Sequence, residues 1–182
     1  MVYLFLADGF EEIEALNTVD ILRRANIAVT TVGVNGVAIK GAHNINVTAD
    51  ITVNDSDFAD ISCAILPGGM PGTLNLGACE KLCSLLKKCA TEGTLIAAIC
   101  AAPSVLGNLK LLKGKNYTCY PGFESETFGG IHTEEKCVLD ETIYPIITAK
   151  GPGAANEFAF ALVDFLTKNN SVSERIIKEM QF

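Results

Sequence analysis

Basic runs, long apolar runs and histidines are all scarce in this chain, and each scarcity removes a class of function. Lysine and arginine number 14 against 21 aspartates and glutamates, a formal charge of −7 at pH 7. Arg23-Arg24 and Lys87-Lys88 are isolated doublets, so no basic stripe is present to neutralise a phosphate backbone, and nucleic acid is excluded as a partner. No segment approaches the roughly 20 apolar residues of a membrane-spanning helix. The apolar opening, Val2 to Ala7, runs directly into Asp8, Glu11, Glu12 and Glu14. It is too short for a signal h-region and lacks a basic n-region, which excludes a membrane partner and points to a soluble, cytoplasmic protein. Linkers, repeats and low-complexity stretches are absent as well, so the expectation is one domain over residues 1–182.

Cysteine, in contrast, is plentiful. The seven, at 63, 79, 83, 89, 100, 119 and 137, are odd in number and irregular in spacing. A secreted disulfide framework prefers an even count in a shorter chain, so a reducing compartment is expected. Cys79 and Cys83 stand one helical turn apart with Cys89 beyond them. No second Cys-x-x-Cys and no nearby histidine completes a metal site, so these thiols are assigned to packing and no metal is expected.

With 49% apolar and 19% charged residues the chain is globular. Val2 to Ala7 reads as a short strand. Phe10 to Ala25 follows with helical spacing, Ile13, Leu16, Val19, Ile21 and Leu22 falling on or near one face. Ile27 to Val34 is a second strand, completing a right-handed βαβ unit. Val34-Asn-Gly-Val37 signals a hairpin, and weak alternating segments continue through Val47 and Ile51. Asn54 to Asp60 reads as an acidic loop or short helix. Ile61 to Leu66 is the next parallel strand, Pro67 to Gly72 a sharp turn, and Leu74 to Ala90 a helix closed by Gly93. Tyr117 to Tyr120 reads as a strand and Pro121 to Thr133 as loop. Cys137 to Leu139 and Ile143 to Thr148 form an antiparallel pair or a last parallel strand. Gly151-Pro152-Gly153 opens a helix to Leu166, and Val172 to Met180 closes the chain. This alternation predicts an α/β fold, a doubly wound and mostly parallel sheet with helices on both faces.

The stretch with most chemical content is Thr94-Leu-Ile-Ala-Ala-Ile-Cys100-Ala-Ala-Pro103. Its small apolar run reads as a strand buried on both faces. Pro103 then suits the first turn of a helix, where a missing N–H costs nothing. Cys100 between them lies at a strand–turn–helix junction, the arrangement of a nucleophile elbow. A thiol there sits against a helix N-terminus, which favours the thiolate. Read as packing alone, Cys100 is one more small buried hydrophobe. Ligands of doubly wound sheets bind at the strands' carboxyl ends. Three turns converge there: Asp8 to Glu14, Pro67 to Gly72, and Cys100 to Pro103. Taken singly, Glu14 is one residue of an acidic first turn, and Gly68 and Gly69 are turn glycines.

Four motifs occur in order: Ala7-Asp-Gly-Phe-Glu-Glu-Ile-Glu14, Leu66-Pro-Gly-Gly69, Ala97-Ala-Ile-Cys-Ala-Ala-Pro103 and Gly151-Pro-Gly153. Together they resemble the DJ-1/PfpI (ThiJ/PfpI) superfamily, on its DJ-1 branch, over essentially the whole chain. The resemblance implies a flavodoxin-like fold, a homodimer and an oxidisable active-site cysteine. It makes Cys100 the nucleophile, Glu14 the carboxylic acid hydrogen-bonded to its sulfur, and the N–H groups of Gly69 and Ala101 the oxyanion-binding pair. Gly68, Tyr120 and Pro152 become auxiliary positions. A partly buried carboxyl beside a thiolate has its pKa raised and can donate to the sulfur.

Two positions depart from relatives. Tyr120 stands where many members place a histidine, and a phenol with an ordinary pKa near 10 is a poor base at neutral pH. Ala101 follows Cys100 where the protease-like branch tends to have histidine. His132-Thr-Glu134 superficially matches the His-x-Glu of glutamine amidotransferases, in a loop only 32 positions after Cys100. His43 falls where relatives can carry an arginine near the neighbouring subunit's site. The functions implied are a cofactor-free cysteine enzyme acting on small α-oxoaldehydes, as a glutathione-independent glyoxalase or related deglycase. The alternative is a redox-sensing, stress-protective protein whose cysteine becomes a sulfinate. A peptidase or amidotransferase-like hydrolase is the weaker third.

Overall fold

The computed structural model describes all 182 residues. A seven-stranded sheet runs through its centre in the order β10, β11, β7, β6, β1, β2, β5. Its strands are β1 (Val2–Leu6), β2 (Val29–Gly33), β5 (Ile51–Thr52), β6 (Cys63–Leu66), β7 (Leu95–Ile99), β10 (Cys137–Asp140) and β11 (Ile146–Ala149). All neighbours are parallel except β10 and β11, which pair antiparallel. The two readings of the Cys137–Thr148 region therefore both hold, one strand for each.

Alternate residues of the central strands feed two cores. Val2, Leu4 and Leu6 of β1 pack with Leu95, Ala97 and Ile99 of β7 on one face. Tyr3 and Phe5 pack with Ile96 and Ala98 on the other. Burial on both faces is why these strands read as unbroken apolar runs. The first face is covered by α1 (Glu12–Arg24) and α5 (Ala155–Thr167), the second by α2 (Gly72–Ala78), α3 (Glu80–Glu92) and α4 (Pro103–Asn108), and α6 (Asn170–Glu179) packs on α5.

Four sequence expectations need correction. On α1 the buried residues are Glu12, Glu14, Ala15, Thr18, Val19, Ile21 and Leu22, whereas Ile13 and Leu16 are exposed at 56% and 38%. Polar Glu14 and Thr18 occupy the inner stripe instead, and Thr18 Oγ1 donates to the Glu14 carbonyl at 2.6 Å. The Val34-Asn-Gly-Val37 turn makes no hairpin from β2. Both edges of β2 are taken, by β1 and β5. The chain leaves the sheet there and builds a separate antiparallel ribbon from β3 (Ala38–Lys40) and β4 (Asn46–Thr48). The single helix expected over 74–90 is two, broken at extended Cys79 (φ −80°, ψ 98°). Leu76 and Leu82 would lie about 120° apart around one continuous helix, and the break lets both reach the core, where each is fully buried. Cys79 caps α3, and the Cys83 N–H donates to its carbonyl at 2.9 Å, so the two remain one turn apart. Lastly, the strand expected at 117–120 shrinks to β8 (Asn116–Tyr117), which pairs parallel with β9 (Ile131–His132). The intervening loop contains a 3₁₀ turn, Glu124–Thr127. Asn54 to Asp60, read as loop or short helix, is loop.

One charged pair lies wholly inside. Lys115 Nζ donates to Asp140 Oδ1 at 3.1 Å and to the Tyr144 carbonyl at 2.7 Å, with its side chain and that of Asp140 0% and 1% exposed. Burial works against the Asp140 charge, but hydrogen bonds from Thr142, Asn116 and Lys115 outweigh it and hold the carboxyl well below the usual carboxylate range. Removing one member strands the other's charge, at a cost of about 3–5 kcal/mol. Asp140→Asn is therefore expected to lower stability by about that amount in urea unfolding at pH 7. A depressed carboxyl stabilises above its unfolded pKa, near 3.9, and loses the contribution as pH falls through its folded value. The gap between wild type and variant should accordingly narrow below about pH 4.

Candidate active site

The carboxyl ends of β1, β6 and β7 are stitched together by backbone contacts at which side chains have no room. Gly9 has φ +87°, and a Cβ on it would fall 2.5 Å from the Pro71 ring. Gly69 has φ +88°, and a Cβ there would meet the Glu11 nitrogen at 2.4 Å. The Glu11 N–H donates to the Gly68 carbonyl at 2.9 Å, and the Gly72 N–H to the Gly9 carbonyl at 3.2 Å. Thus the β1 turn and the β6 turn interlock, and they bring the start of α1 against the end of β7.

Cys100 follows β7 directly with φ +65°, a left-handed conformation that a non-glycine residue adopts only under constraint. Its N–H donates to the Ala149 carbonyl at 2.9 Å, and its carbonyl accepts from the Tyr120 N–H at 2.8 Å. Ala102 N–H closes the turn on the Ile99 carbonyl at 3.0 Å, and Pro103 starts α4. The elbow read from the sequence is present, and 8% of Cys100 remains exposed.

Glu14 lies beside it, fully buried. Its Oε2 accepts the Gly68 N–H at 2.7 Å, while Oε1 is buried without any hydrogen-bond partner. A Cβ on Gly68 would stand 2.5 Å from Cys100 Cβ and 2.9 Å from Glu14 Oε2, so that glycine is the gap through which the carboxyl and the thiol meet. Burial pushes the Glu14 carboxyl up to about 7, against the pull of the Gly68 N–H and of Cys100, with the Glu11 charge adding to the rise. Burial and an ionised Glu14 push the Cys100 thiol up to about 12, while the N–H groups of Gly69 and Ala101, which face the sulfur, favour its anion.

Here the sequence reading needs a condition. It expects an acidic thiol from the helix N-terminus and the neighbouring Glu14, yet α4 has only 6 residues and the thiol is buried. Two buried anions side by side exclude one another, so the pair keeps at least one proton. The unpartnered Oε1 is the oxygen that can carry that proton. With Glu14 protonated the repulsion vanishes, and the carboxyl becomes a donor for the thiolate.

Tyr120 is half exposed, and a side chain on Gly151 would come within 3.1 Å of its ring and 3.9 Å of Cys100 Sγ. Tyr120, Gly151 and Cys100 therefore stand together, and Tyr120, Gly151 and Pro152 line a cleft of about 300 Å³ with Lys136 and Lys150, beside Cys100. Neither lysine stands out in the sequence: Lys136 precedes β10, far from the four motifs, and Lys150 follows β11 and adjoins Gly151 without belonging to the motif. Lys136 Nζ pairs with Glu157 at 2.6 Å, and Lys150 pairs with Glu134. The two histidines are elsewhere. His43 Nδ1 bonds Glu12 Oε2 at 2.9 Å, and His132 lies near Cys119 and Glu124. No imidazole is brought to Cys100. No helix is long and apolar enough to cross a membrane.

The DJ-1/PfpI family model matches residues 1–165. Protein dj-1beta of Drosophila melanogaster is 34% identical over 173 residues, spanning 94% of this chain and 91% of that protein. A Caenorhabditis elegans protein named as a glutathione-independent glyoxalase is 34% identical over 167 residues, 89% of this chain and 87% of its own. The crystal structure of a cysteine-to-alanine mutant of a DJ-1 superfamily protein from Salmonella typhimurium has a TM-score of 0.93 and 32% identity, covering 100% of this chain and 97% of that one. That likeness extends to the mostly parallel, flavodoxin-like sheet and its helical layers.

The retained proton makes a measurable prediction. Thiolate absorbance of Cys100, taken as the difference between wild type and Cys100→Ser, should rise in a titration that Glu14 controls. Charge-assisted hydrogen bonds contribute about 1.5–3 kcal/mol, so Glu14→Leu should raise the thiol pKa by roughly one to two units. A curve unchanged or moved downward would mean that Glu14 acts on the sulfur only by repulsion.

Proposed function

The chain belongs to the DJ-1/PfpI family, and from that premise we propose that it converts methylglyoxal and similar α-oxoaldehydes to hydroxy acids without glutathione. The observation that carries the reading is the buried Glu14–Cys100 pair with the Gly69 and Ala101 N–H groups facing the same sulfur. Cys100 thiolate adds to the aldehyde carbon, and the new alkoxide lies where those two N–H groups favour negative charge. Glu14 delivers its proton to that oxygen, giving a hemithioacetal and leaving a carboxylate. As base, the carboxylate then takes the C–H proton from the former aldehyde carbon and returns it to the neighbouring carbon through an enediol, while the hydroxyl proton passes from the first oxygen to the second. The product is a thioester of lactate. Water cleaves it, releasing lactate and restoring thiolate and protonated acid. A carboxyl held near 7 suits both halves of this shuttle. Cys100, Glu14, Gly69 and Ala101 thus carry the reaction, Gly68 leaves the space for it, and Tyr120 and Pro152 border the substrate. The scheme draws on no cofactor, and removal of early aldehyde adducts from proteins would use the same groups.

A redox-sensing role is the second reading, favoured by the same enclosure. A sulfinate formed on Cys100 by peroxide would find the Glu14 proton and the two N–H groups as partners for its oxygens. A peptidase or amidotransferase-like reading loses support from the absence of an imidazole at Cys100. The proposal includes a cytoplasmic homodimer of one-domain subunits, residues 1–182. Supporting it are seven unpaired cysteines and the exposed Ile13 and Leu16 on α1.

Lactate formation from methylglyoxal, assayed without glutathione, tests the reaction. Cys100→Ser should abolish it and Glu14→Gln nearly so. Wild type that makes no lactate above buffer, yet oxidises readily to sulfinate at Cys100, would leave the sensor reading in possession. Tyr120 sets a second expectation. Positioned proton transfer contributes about 10²–10⁴-fold, and a phenol supplies less of it than an imidazole at neutral pH. Tyr120→His should therefore keep or raise kcat, and a loss of activity would assign the phenol a role of its own.

A further inference from the structure

Outside the Cys100 cleft, three side chains of different chemistry converge with no role in the reaction above. A cysteine sulfur, a carboxylate oxygen and an imidazole nitrogen, from Cys119, Glu124 and His132, lie within 4.8 Å of one another. They reach one place from three segments: the residue pair after β8, the 3₁₀ turn, and β9. Parallel pairing sets Tyr117 of β8 opposite His132 of β9, and their rings meet edge to face at 5.5 Å, which fixes the imidazole plane. His132 Nε2 is buried and has no hydrogen-bond partner. A buried ring nitrogen with neither donor nor acceptor is costly unless something else is bound there. Cys119 is fully buried, and burial pushes its thiol up to about 12.

We propose that Cys119, Glu124 and His132 form a binding site for one zinc ion. Zinc takes thiolate sulfur, imidazole nitrogen and carboxylate oxygen in tetrahedral sites, at about 2.0–2.3 Å from each. Those bond lengths put the donor atoms roughly 3.3–3.8 Å apart, and the trio, all within 4.8 Å of one another, needs at most a small closure to meet the ion. The exposed Glu124 side chain is the member with room to move. Water fills the fourth position. On binding, the Cys119 thiol gives its proton to solvent, and the ion's charge replaces the solvation that burial removed. A thiolate among the donors selects zinc over magnesium and calcium, which prefer all-oxygen sets. The other mixed cluster, Glu11, Glu12 and His43, differs in that its histidine is already bonded to Glu12 at 2.9 Å.

The location gives the ion a structural consequence. Tyr120 follows Cys119 directly, and its N–H holds the Cys100 carbonyl at 2.8 Å. Zinc at Cys119 would pin the segment that forms one wall of the reactive cleft.

The full chain is to be titrated with zinc chloride against a chromogenic chelator, and with cobalt(II) to record thiolate-to-metal charge transfer. One equivalent should bind, with a zinc-dependent rise in Tm. Changing a group behind a metal ligand already costs about 10–100-fold in affinity, so His132→Gln and Cys119→Ser should each cost about 100-fold or more, and Glu124→Gln at least about tenfold. His43→Ala should bind as wild type does. If buried Cys119→Ser fails to fold, the two other ligand variants decide the matter. The proposal is overturned by absence of binding, by affinity and Tm shift that survive both His132→Gln and Glu124→Gln, or by a cobalt band that vanishes in Cys100→Ala instead of in Cys119→Ser.

Discussion

Two buried acids that cannot both carry charge set the constraint on which the site depends. Glu14 and Cys100 cannot both be ionised at such close quarters in a dry cleft, and they cannot separate either. Glu14 sits in the first turn of α1 with its backbone tied into the helix, and Cys100 is held in a left-handed conformation at the end of β7. The space between them is fixed by Gly68, where even a methyl group would collide with both. What the fold supplies is thus a distance and a dielectric, and the chemistry follows from them.

That constraint explains the placement of glycine around the sheet's carboxyl edge. Gly9, Gly68, Gly69 and Gly72 each lie within bonding distance of another chain segment's backbone, and two of them have positive φ. A stiff, twice-buried sheet brings β1, β6 and β7 to one edge, and the glycines let their turns touch without side chains between them. Packing of β7 on both faces then keeps Cys100 from relaxing its strained backbone.

Much of this was legible because the signals are local. The unbroken Leu95–Ile99 run, Cys100 and Pro103 specify strand, elbow and helix within ten residues. The parallel sheet follows from strand–helix alternation, and four short motifs mark the family. What escaped depends on contacts distant in sequence. Ile13 and Leu16 fit an apolar stripe on α1, but the stripe that turns inward carries Glu14 and Thr18, because the site demands a carboxyl there. Asn35-Gly36 has hairpin chemistry, and only the occupation of both edges of β2 prevents a hairpin. Lys136 and Lys150 flank an antiparallel pair that the sequence does suggest, but that the ends of that pair line a cleft depends on where β11 lies beside β7. The pairing of the thiol with Glu14 is legible in the motifs, whereas the extent to which burial raises both groups depends on the packed site.

The short ends of the sheet have a consequence for how such molecules meet. At one margin β5 is only two residues long, and Asp55 takes the Thr52 N–H at 2.7 Å, so little free backbone remains to recruit another strand. At the other, β10 runs four residues and ends on Asp140, whose carboxylate turns inward to Lys115. Truncated, self-satisfied margins of this kind are poor templates for fibrillar growth. Association between copies is thereby steered away from open-ended strand stacking and toward helical faces, where contacts can close after a fixed number of subunits.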